Sequence, residues 1–380
     1  MAIVFDAPGV LRAAIAQLLP GASRTFDHAQ LSDTERRTLR AAAQAHGVLP
    51  LLAKVAGPLA EPELVAAARE TALRSLAAVD TLRRAMSTLR TAGIPALAWK
   101  GPVLSQVAWG DLGSRAFHDL DIVVAPAQVQ AAHAALREVG WTRRYAQSAA
   151  QEAAIFRGLG ALDMSGPFEP PLLELHWEFS ARRYAGRLPV AEVLARARML
   201  SIAGDEILTP DAPDTLALLA QHGCKHAWGR LEDLAVFSAV AVSDIDAVVE
   251  AHRRAMSVGG ARAVRLAVAL GARLLGVDRP KALAAACERD AALAPLVREV
   301  EERWARGETD APTPLRWDLQ WTDGTVHRLR LLARSAFDPT LREWEALRLP
   351  DALVGLYPVF RPIRRLWSAL GGAPAGRAAD

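Results

Sequence analysis

The chain contains 380 residues, of which 51% are hydrophobic and 23% are charged, and its formal net charge is +3. This length exceeds one small domain, and a composition near the globular average excludes wholesale disorder. So small a net charge does not make nucleic acid the default partner. The two cysteines, Cys224 and Cys287, cannot build a disulfide framework, which favours a reducing compartment. No apolar run reaches the roughly 18 residues of a membrane span, and no signal-peptide pattern is visible, so we expect a cytoplasmic protein.

Residues 1–92 are predicted to form a helical region. Ala, Leu and Val recur there at the three- and four-residue spacing that is typical of amphipathic helices. Ser32 is expected to cap a helix that runs from Glu35 towards Val55, and Gly93 is expected to end the next one. No group of catalytic side chains stands out in this region.

Residues 93–185 are predicted to form a small mixed sheet with accompanying helices. The apolar run at 94–99 and the segment 118–126 each suit a strand that is followed by a helix. Two further extended stretches are expected at 152–164 and 172–179, separated by a turn-rich segment. This alternation predicts an α+β fold in which a small mixed sheet is flanked by an N-terminal and a C-terminal helical region.

Helical periodicity returns in the third predicted region, residues 186–325, after a hairpin that is expected to turn at Gly204 and Asp205. The segment 306–325 is expected to be loop-like. Residues 326–380 form a basic tail with Arg and Trp; we expect its amphipathic part to pack against the body, with binding of an anionic acceptor as the alternative. The helices of the third region are predicted at 213–226, 229–241, 245–257, 260–275 and 280–304.

The predicted strand with Asp119 and Asp121 carries the clearest chemical signal. Side chains alternate along a strand, so both aspartates point to one face while Leu120 points into the core. Aspartate is depleted in strands, and two like charges within about 7 Å of each other are destabilising unless a cation lies between them. Mg²⁺ readily takes carboxylate oxygens as ligands, so the pair indicates a metal site.

A second triplet with the same spacing, Asp244-Ile245-Asp246, has a different interpretation. It immediately precedes a predicted helix, where aspartates cap the free N–H groups and complement the helix dipole. We therefore predict that the second triplet is structural.

A third carboxylate is predicted on the segment 172–179. Period-two alternation places Glu174, His176 and Glu178 on one face and apolar side chains, including Trp177, on the other. One acidic and one apolar face are also ordinary for a half-exposed strand. If this strand lies beside the first, Glu174 completes a three-carboxylate cluster that suits two metal ions roughly 3.5–4 Å apart.

A phosphate-binding turn is predicted at Lys100, Gly101 and Pro102. Pro102 suits the first helical position, and Gly101 is expected to be the extended N-cap before it. Backbone N–H groups at such a helix start can hold a phosphate that glycine allows to approach closely, and Lys100 adds a positive charge. A lone Lys-Gly pair is also typical of a plain turn.

Four motifs follow one another in the chain: Lys100-Gly101, Arg115, Asp119-Leu120-Asp121 and Glu174-Leu175-His176-Trp177. In this order they resemble a bacterial nucleotidyltransferase family that is related to the DNA polymerase β-like transferases. The resemblance covers most of residues 94–240 and is patchy outside them. Further matches are His222, Lys225-His226, Trp228, Arg230-Leu231, Tyr357 and Arg361-Pro362.

The resemblance implies transfer of a nucleoside monophosphate from an NTP to an acceptor hydroxyl or phosphate, with Mg²⁺ or Mn²⁺ as cofactor and pyrophosphate as product. It implies that Asp119, Asp121 and Glu174 are catalytic metal ligands. A peptide, a sugar or a phosphorylated small molecule is the expected acceptor, because relatives often accompany natural-product or polysaccharide pathways. The predicted nucleotide-binding residues are Lys100, Gly101, Arg115, Lys225, His226 and Arg230.

Two departures from the family pattern keep alternatives open. Pro102 follows Gly101 where serine or glycine is usual, and Glu174 stands where aspartate is usual and has a longer side chain. A catalytically silent nucleotide- or peptide-binding protein and a metal-dependent phosphohydrolase are therefore the alternative functions. Arg115 could pair with Asp111 instead of a phosphate.

The remaining polar candidates also have two interpretations each. Lys225 and its basic neighbours, His226 and Arg230, can equally form a solvated helix face. His222 and His226 have the i, i+4 spacing of zinc ligands but no convincing third ligand, so we predict a structural role for the pair. His118 and His176 are predicted to orient the metal-binding carboxylates rather than to act as bases.

Overall fold

The computed structural model describes residues 6–20, 26–117, 119–143, 148–166, 172–340, 343 and 349–369. As predicted, the fold is α+β, with a mixed five-stranded sheet flanked by helices from both ends of the chain. The described strands are β1 (Ala96–Trp99), β2 (Asp119–Val124), β3 (Thr142–Arg143), β4 (Ala161–Ser165), β5 (Leu172–His176), β6 (Arg198–Ile202) and β7 (Asp205–Thr209). The described α-helices are α1 (Ala7–Ala16), α2 (Asp33–Ala45), α3 (Leu49–Ala56), α4 (Pro62–Thr91), α5 (Gly101–Trp109), α6 (Val129–Glu138), α7 (Ala149–Gly158), α8 (Val190–Arg196), α9 (Ala212–Lys225), α10 (Leu231–Ser243), α11 (Ile245–Met256), α12 (Ala261–Leu270), α13 (Lys281–Arg289), α14 (Leu293–Ala305), α15 (Leu315–Trp321), α16 (Thr325–Phe337) and α17 (Tyr357–Ala369).

The large sheet has the strand order β1-β2-β5-β4-β3. Strands β2 and β5 are parallel, and the other neighbours are antiparallel. The register places Asp121 beside Trp99 on one side and beside Glu174 on the other. The expected adjacency of the strands that carry Asp121 and Glu174 is therefore present.

The two faces of the sheet contact different cores. Leu120 and Ile122 belong to a core that also contains Leu82 of α4 and Val129 of α6. Their neighbour Val123 points to the opposite face and belongs to a larger core built mainly by helices. Because Asp119 and Asp121 share that opposite face, their carboxylates lie on the side of the sheet that the helical core only partly covers.

The larger core joins helices from the beginning and the end of the chain. It contains Leu11 of α1, Phe237 of α10 and Trp317 of α15, all of them buried. The indole N–H of Trp317 donates a 2.6 Å hydrogen bond to the carbonyl of Cys224 at the end of α9. Within this layer α10 packs against both α9 and α5, and α5 begins beside the acidic face of the sheet.

Several predicted helix ends are confirmed. Ser32 caps α2 in a capping box with Glu35, and Gly93 follows α4 with a φ of +71°. The predicted hairpin is β6–β7, but its turn residues are Ala203 and Gly204, both at positive φ, whereas Asp205, expected in the turn, begins β7 and pairs with Ile202.

The expected strand over 152–164 is wrong in its first half. Residues Ala149–Gly158 form α7, and only Ala161–Ser165 are extended. The helical part is rich in Ala, Glu and Gln, which favour a helix, and Gly158 and Gly160 separate it from the strand.

Three helical predictions needed correction in the flanking regions. The segment from Glu35 to Val55 is divided at Gly47, whose φ is +72°. The predicted helix 280–304 is divided at Asp290, whose carboxylate accepts hydrogen bonds from two arginines of α12. The expected loop at 306–325 contains α15, because Trp317 and Trp321 at helical spacing bury their side chains completely.

The expectation for the tail is only partly confirmed: Tyr357 packs into the body, but the apolar side chains of the amphipathic segment, Ile363, Leu366 and Trp367, are more than half exposed. The Tyr357 side chain is buried in the sheet core, and its hydroxyl accepts a 3.2 Å hydrogen bond from the N–H of Leu349. Arg364 binds the buried carboxylate of Glu343 at 2.5 Å. The last residues of the tail, 370–380, and most of the turn-rich segment between the two extended stretches, 167–171, lie outside the described residues. None of the described helices combines the length and apolarity of a membrane span.

The structure confirms the capping role predicted for the second triplet and makes it testable. The Asp244 carboxylate accepts a 2.9 Å hydrogen bond from the N–H of Ala247, whereas Asp246 only lies in the first turn of α11. We expect Asp244→Ala to lower the free energy of unfolding by about 1 kcal/mol, because a helix N-cap is lost. Asp246→Ala should cost about 0.5 kcal/mol or less, since only a dipole interaction is removed. Urea unfolding measures both changes, and equal losses would contradict the assignment.

Candidate active site

The centre of the site is a pair of carboxylates on neighbouring parallel strands. Asp121 of β2 and Glu174 of β5 are register partners, so their side chains emerge side by side from one face of the sheet. Asp121 is almost completely buried, whereas Glu174 is partly exposed. On the far side of Glu174, Asp163 of β4 is its antiparallel partner, so acidic residues occupy the same row of three adjacent strands.

His176 lies between the two central carboxylates. Its Nε2 atom is 3.0 Å from Asp121 Oδ1 and 3.0 Å from Glu174 Oε2. Its other ring nitrogen, Nδ1, is 3.3 Å from the backbone carbonyl oxygen of Glu178. His176 therefore contacts both carboxylates directly through Nε2. The sequence predicted only that it would orient them.

Lys100 approaches the same carboxylate from the turn between β1 and α5. Its Nζ atom donates a 3.1 Å hydrogen bond to Asp121 Oδ1. The backbone of Lys100 has φ +60° and ψ −154°, a region that residues other than glycine rarely occupy. Lys100 is the N-cap of α5, and Gly101 is its first residue with φ +45°, so the expectation of an extended Gly101 N-cap is wrong. The turn is sharp because the chain must reverse between two buried elements, and a glycine at 101 tolerates that geometry.

Opposite charges in this cluster shift one another's pKa values. Burial alone would raise the pKa of Asp121, but the positive charges of Lys100 and His176 hold it far below its usual range. Burial would also raise the pKa of Glu174, but the hydrogen bond to His176 and the charges of His176 and Lys100 together lower it. Burial and the charges of Asp121 and Glu174 raise the pKa of Asp119, although the charges of Lys100 and Arg115 act in the opposite direction. Hydrogen bonds to both carboxylates raise the pKa of His176 to about 9 despite its burial.

Arg115 connects this cluster to the helices. Its Nε atom lies 2.5 Å from Glu232 Oε1 of α10, an ion pair whose atoms fall outside hydrogen-bond geometry. Burial would lower the pKa of Arg115, but the charges of Glu232, Asp119 and Asp121 are among those that raise it. Asp111, the alternative partner considered from the sequence, binds the Lys54 ammonium at 2.6 Å instead.

A scan against protein families matches residues 32–276 to the family described as "Uncharacterised nucleotidyltransferase". This match covers more than half of the chain and includes every residue of the cluster. The chain belongs to this nucleotidyltransferase family. A search of curated proteins finds no match.

Three donor atoms of the nucleotidyltransferase converge closely enough to hold a metal ion. One ligand atom each of Asp121, Glu174 and His176 lies within 4.8 Å of the other two. In addition, Asp121 Oδ2 is buried and has no hydrogen-bond partner among the residues that the structure describes, which leaves a carboxylate oxygen available to a cation. Within the described part of the chain, no other group of three His, Cys, Asp or Glu side chains meets this condition.

The C-terminal end of α9 places two histidines, His222 and His226, where the charge of Lys100 acts on them. Burial and the charge of Lys100 lower the pKa of His222. Burial among protein atoms and the charges of Lys225 and Lys100 lower the pKa of His226 to about 3, although part of its side chain reaches solvent. The two imidazole rings are 4.6 Å apart. Among the described residues, no third donor lies close enough to join this pair in a metal-binding group. Arg230, at the start of α10, is bound to Asp310 at 2.8 Å.

The sequence interpretation missed three acidic residues near the cluster. Asp163 carries the same alternation signal as Glu174, since it lies between Leu162 and Met164 on a strand. Glu232 and Asp233 follow Arg230 at a helix start, where acidic residues usually complement the dipole, so nothing local marked them as partners of the site. His118, predicted beside the cluster, lies outside the described residues.

The elevated pKa of His176 predicts a pH dependence of stability in the metal-free protein. A histidine whose pKa is about 9 in the folded state and about 6.5 when unfolded stabilises the fold fully below pH 6.5 and loses this contribution as the pH rises through 9. The contribution is at most about 3.5 kcal/mol, at about 1.4 kcal/mol for each pKa unit. Urea unfolding in the presence of a chelator, at pH 6 and pH 9.5, should therefore show a larger loss for the wild type than for His176→Gln. An identical loss in both proteins would contradict the prediction.

Proposed function

We propose that the protein transfers a nucleoside monophosphate from an NTP to a hydroxyl or phosphate group of an acceptor and releases pyrophosphate. The single observation that carries this proposal is the pairing of Asp121 with Glu174 next to the cationic helix start at Lys100 and Gly101. Membership of the nucleotidyltransferase family supports the reaction class.

In this proposal, Asp119, Asp121 and Glu174 hold divalent cations, Mg²⁺ or Mn²⁺. Two observations on the described residues support it: Asp121 Oδ2 is buried without a hydrogen-bond partner, and burial with the negative charges of Asp121 and Glu174 raises the pKa of Asp119. A bound cation would give Oδ2 a partner and would reduce the repulsion among the carboxylates. When bound, the cations would neutralise the phosphate charge and favour the deprotonated acceptor oxygen. The longer arm of Glu174 is compatible with this role because it already reaches the same neighbour, His176, as Asp121 does.

Lys100 and Gly101 bind the triphosphate in this proposal. The N-terminus of α5 offers the Gly101 N–H group and a positive dipole, because Pro102 has no N–H and the Val103 N–H donates a 3.0 Å hydrogen bond to the Lys100 carbonyl. Gly101 also carries no side chain that would keep a phosphate away. The Lys100 ammonium, already 3.1 Å from Asp121 Oδ1, lies where a phosphate bound beside the carboxylates would need a counter-charge. Arg115 contributes long-range positive charge while Glu232 holds its side chain.

Lys225, His226 and Arg230 line the nucleotide side of the site in this proposal. Their support is electrostatic, because the charge of Lys100 acts on His226, and Lys225 and Arg230 act on it too. Uncharged imidazole at physiological pH allows His226 to donate or accept a hydrogen bond without repelling these cations.

The reaction itself needs positioning more than covalent participation. The acceptor oxygen attacks the α-phosphorus, the bond between that phosphorus and the bridging oxygen breaks, and pyrophosphate leaves with the electron pair. The acceptor's proton passes to solvent. The chain contributes by holding donor and acceptor in line and by surrounding the developing charge with fixed cations and N–H groups.

A peptide, a sugar or a phosphorylated small molecule is the proposed acceptor class. Incubation of the protein with each NTP and with panels of these three classes, followed by mass spectrometry, identifies both the donor and the transferred group from the added mass. Release of pyrophosphate together with an adduct of nucleoside monophosphate mass is the expected result. Release of inorganic phosphate or free nucleoside monophosphate without an acceptor would support a phosphohydrolase instead.

One observation favours a catalytically silent binding protein as the second candidate. Pro102 occupies the second position of α5 and has no N–H group, so the helix start offers one donor fewer to a phosphate. Calorimetric titration with Mg-NTP separates the candidates, because tight binding without turnover on any acceptor panel would favour this one.

Substitution of the carboxylates gives the sharpest test of the metal assignment. Asp119→Asn, Asp121→Asn and Glu174→Gln should each lower the rate of transfer by at least about 100-fold, because each removes a negative ligand while nearly preserving volume. Asp244→Asn and Asp246→Asn alter the other triplet and are matched controls that should retain the wild-type rate. Pyrophosphate release, measured beside thermal unfolding of every variant, gives the answer. Near-normal transfer by a folded Asp121→Asn variant would refute the assignment.

A further inference from the structure

We propose that His176 is itself a metal ligand, through Nε2, and that this nitrogen makes the site select a transition-metal cation such as Mn²⁺ over Mg²⁺. The inference rests on the proposed function only for what the cation does, since binding can be measured without nucleotide or turnover. It replaces the orienting role predicted for His176 by direct coordination.

Position is the first argument. Nε2 is 3.0 Å from Asp121 Oδ1 and 3.0 Å from Glu174 Oε2, and the three donor atoms fall within 4.8 Å of one another. A cation shared by both carboxylates would therefore lie within reach of the imidazole. Among the described residues, Asp121 Oδ2 is buried and has no hydrogen-bond partner, which is a second and independent sign that one carboxylate oxygen of the cluster is available to a further cation.

The orientation of the ring is the second argument. Nδ1 of His176 lies 3.3 Å from the carbonyl oxygen of Glu178, and a carbonyl can only accept a hydrogen bond. Nδ1 therefore carries the hydrogen, and the lone pair of the neutral ring is on Nε2, which faces the carboxylates. Ligating histidines in metal sites are commonly held by such a bond from the other ring nitrogen to a backbone carbonyl.

The backbone that supplies this carbonyl is fixed by the end of the sheet. The N–H groups of Trp177 and Glu178 both donate to the carbonyl of Gly160, at 2.9 and 3.1 Å. A Cβ atom at Gly160 would lie only 2.8 Å from the Cβ of Glu178, so this close approach requires glycine. The Glu178 carboxylate is held away by Arg187 at 2.7 Å and does not compete for the ring.

The donor set decides which cation is preferred. Mg²⁺ favours six oxygen ligands and gives up its waters reluctantly, whereas imidazole nitrogen suits transition metals. Two carboxylates and one imidazole therefore favour Mn²⁺ and the later divalent metals over Mg²⁺. A cluster of three carboxylates alone would provide no such nitrogen.

Metal-stripped full-length protein, without nucleotide, is titrated with Mn²⁺ and separately with Mg²⁺, and free Mn²⁺ is followed by electron paramagnetic resonance. We expect Mn²⁺ to bind at least about tenfold more tightly than Mg²⁺, and His176→Gln to lose at least about tenfold in Mn²⁺ affinity while Mg²⁺ affinity changes less. His133→Gln is the matched control, because His133 is also buried and 3.3 Å from a carboxylate, that of Glu152, but lies outside the cluster. Thermal unfolding of each variant shows that the fold is retained.

Electron spin echo modulation of the bound Mn²⁺ separates coordination from a merely structural role. The wild type and His133→Gln should show the ¹⁴N coupling of a ligated imidazole, and His176→Gln should lose it. Absence of this coupling in the wild type, its persistence in His176→Gln, or no Mn²⁺ binding would each overturn the inference. A protein that shows the coupling but transfers no nucleotide would instead contradict the proposed function and leave this inference standing.

Discussion

The constraint that organises this molecule is the placement of two carboxylates side by side on parallel strands, partly removed from water. Asp121 and Glu174 repel each other, and burial makes that repulsion stronger. Two cations from different elements offset this repulsion: Lys100 at a helix start and His176 on the same strand as Glu174. Such a balance is easily shifted by an incoming anion or metal ion, because either exchanges one charge partner for another without disturbing the packing beneath.

The helical layer is part of this electrostatic arrangement and not only a support. Arg115 is held by Glu232 of α10, yet its charge also acts on Asp119 and Asp121. Any displacement of α10 relative to the sheet would therefore change both the position of Arg115 and the field at the carboxylates. The buried pair also makes such displacement costly, since separating it leaves an unpaired charge in a low-dielectric environment.

Much of this could be predicted from local sequence patterns. Alternation placed Asp121 and Glu174 each on the polar face of its own strand, although it brought them together only on the condition that β2 and β5 are neighbours. The helix after Asp244 was sufficient to separate the capping triplet from the one on β2. What could not be predicted depends on contacts distant in sequence or on backbone strain. The positive φ of Lys100 follows from the packing of β1 and α5, and the partnership of Arg115 with Glu232 has no local signal.

The larger core has a consequence for how the chain reaches this structure. It unites α1 with α10 and with the helices near the end of the chain, so its two halves are synthesised far apart in time. Contacts of such long sequence separation form slowly, because much chain entropy is lost before they become favourable. During synthesis, the apolar surface of α1 that packs against α10 therefore stays exposed to solvent until α10 has left the ribosome. Exposed apolar surface of this kind favours aggregation, so chaperones would be needed most in this period.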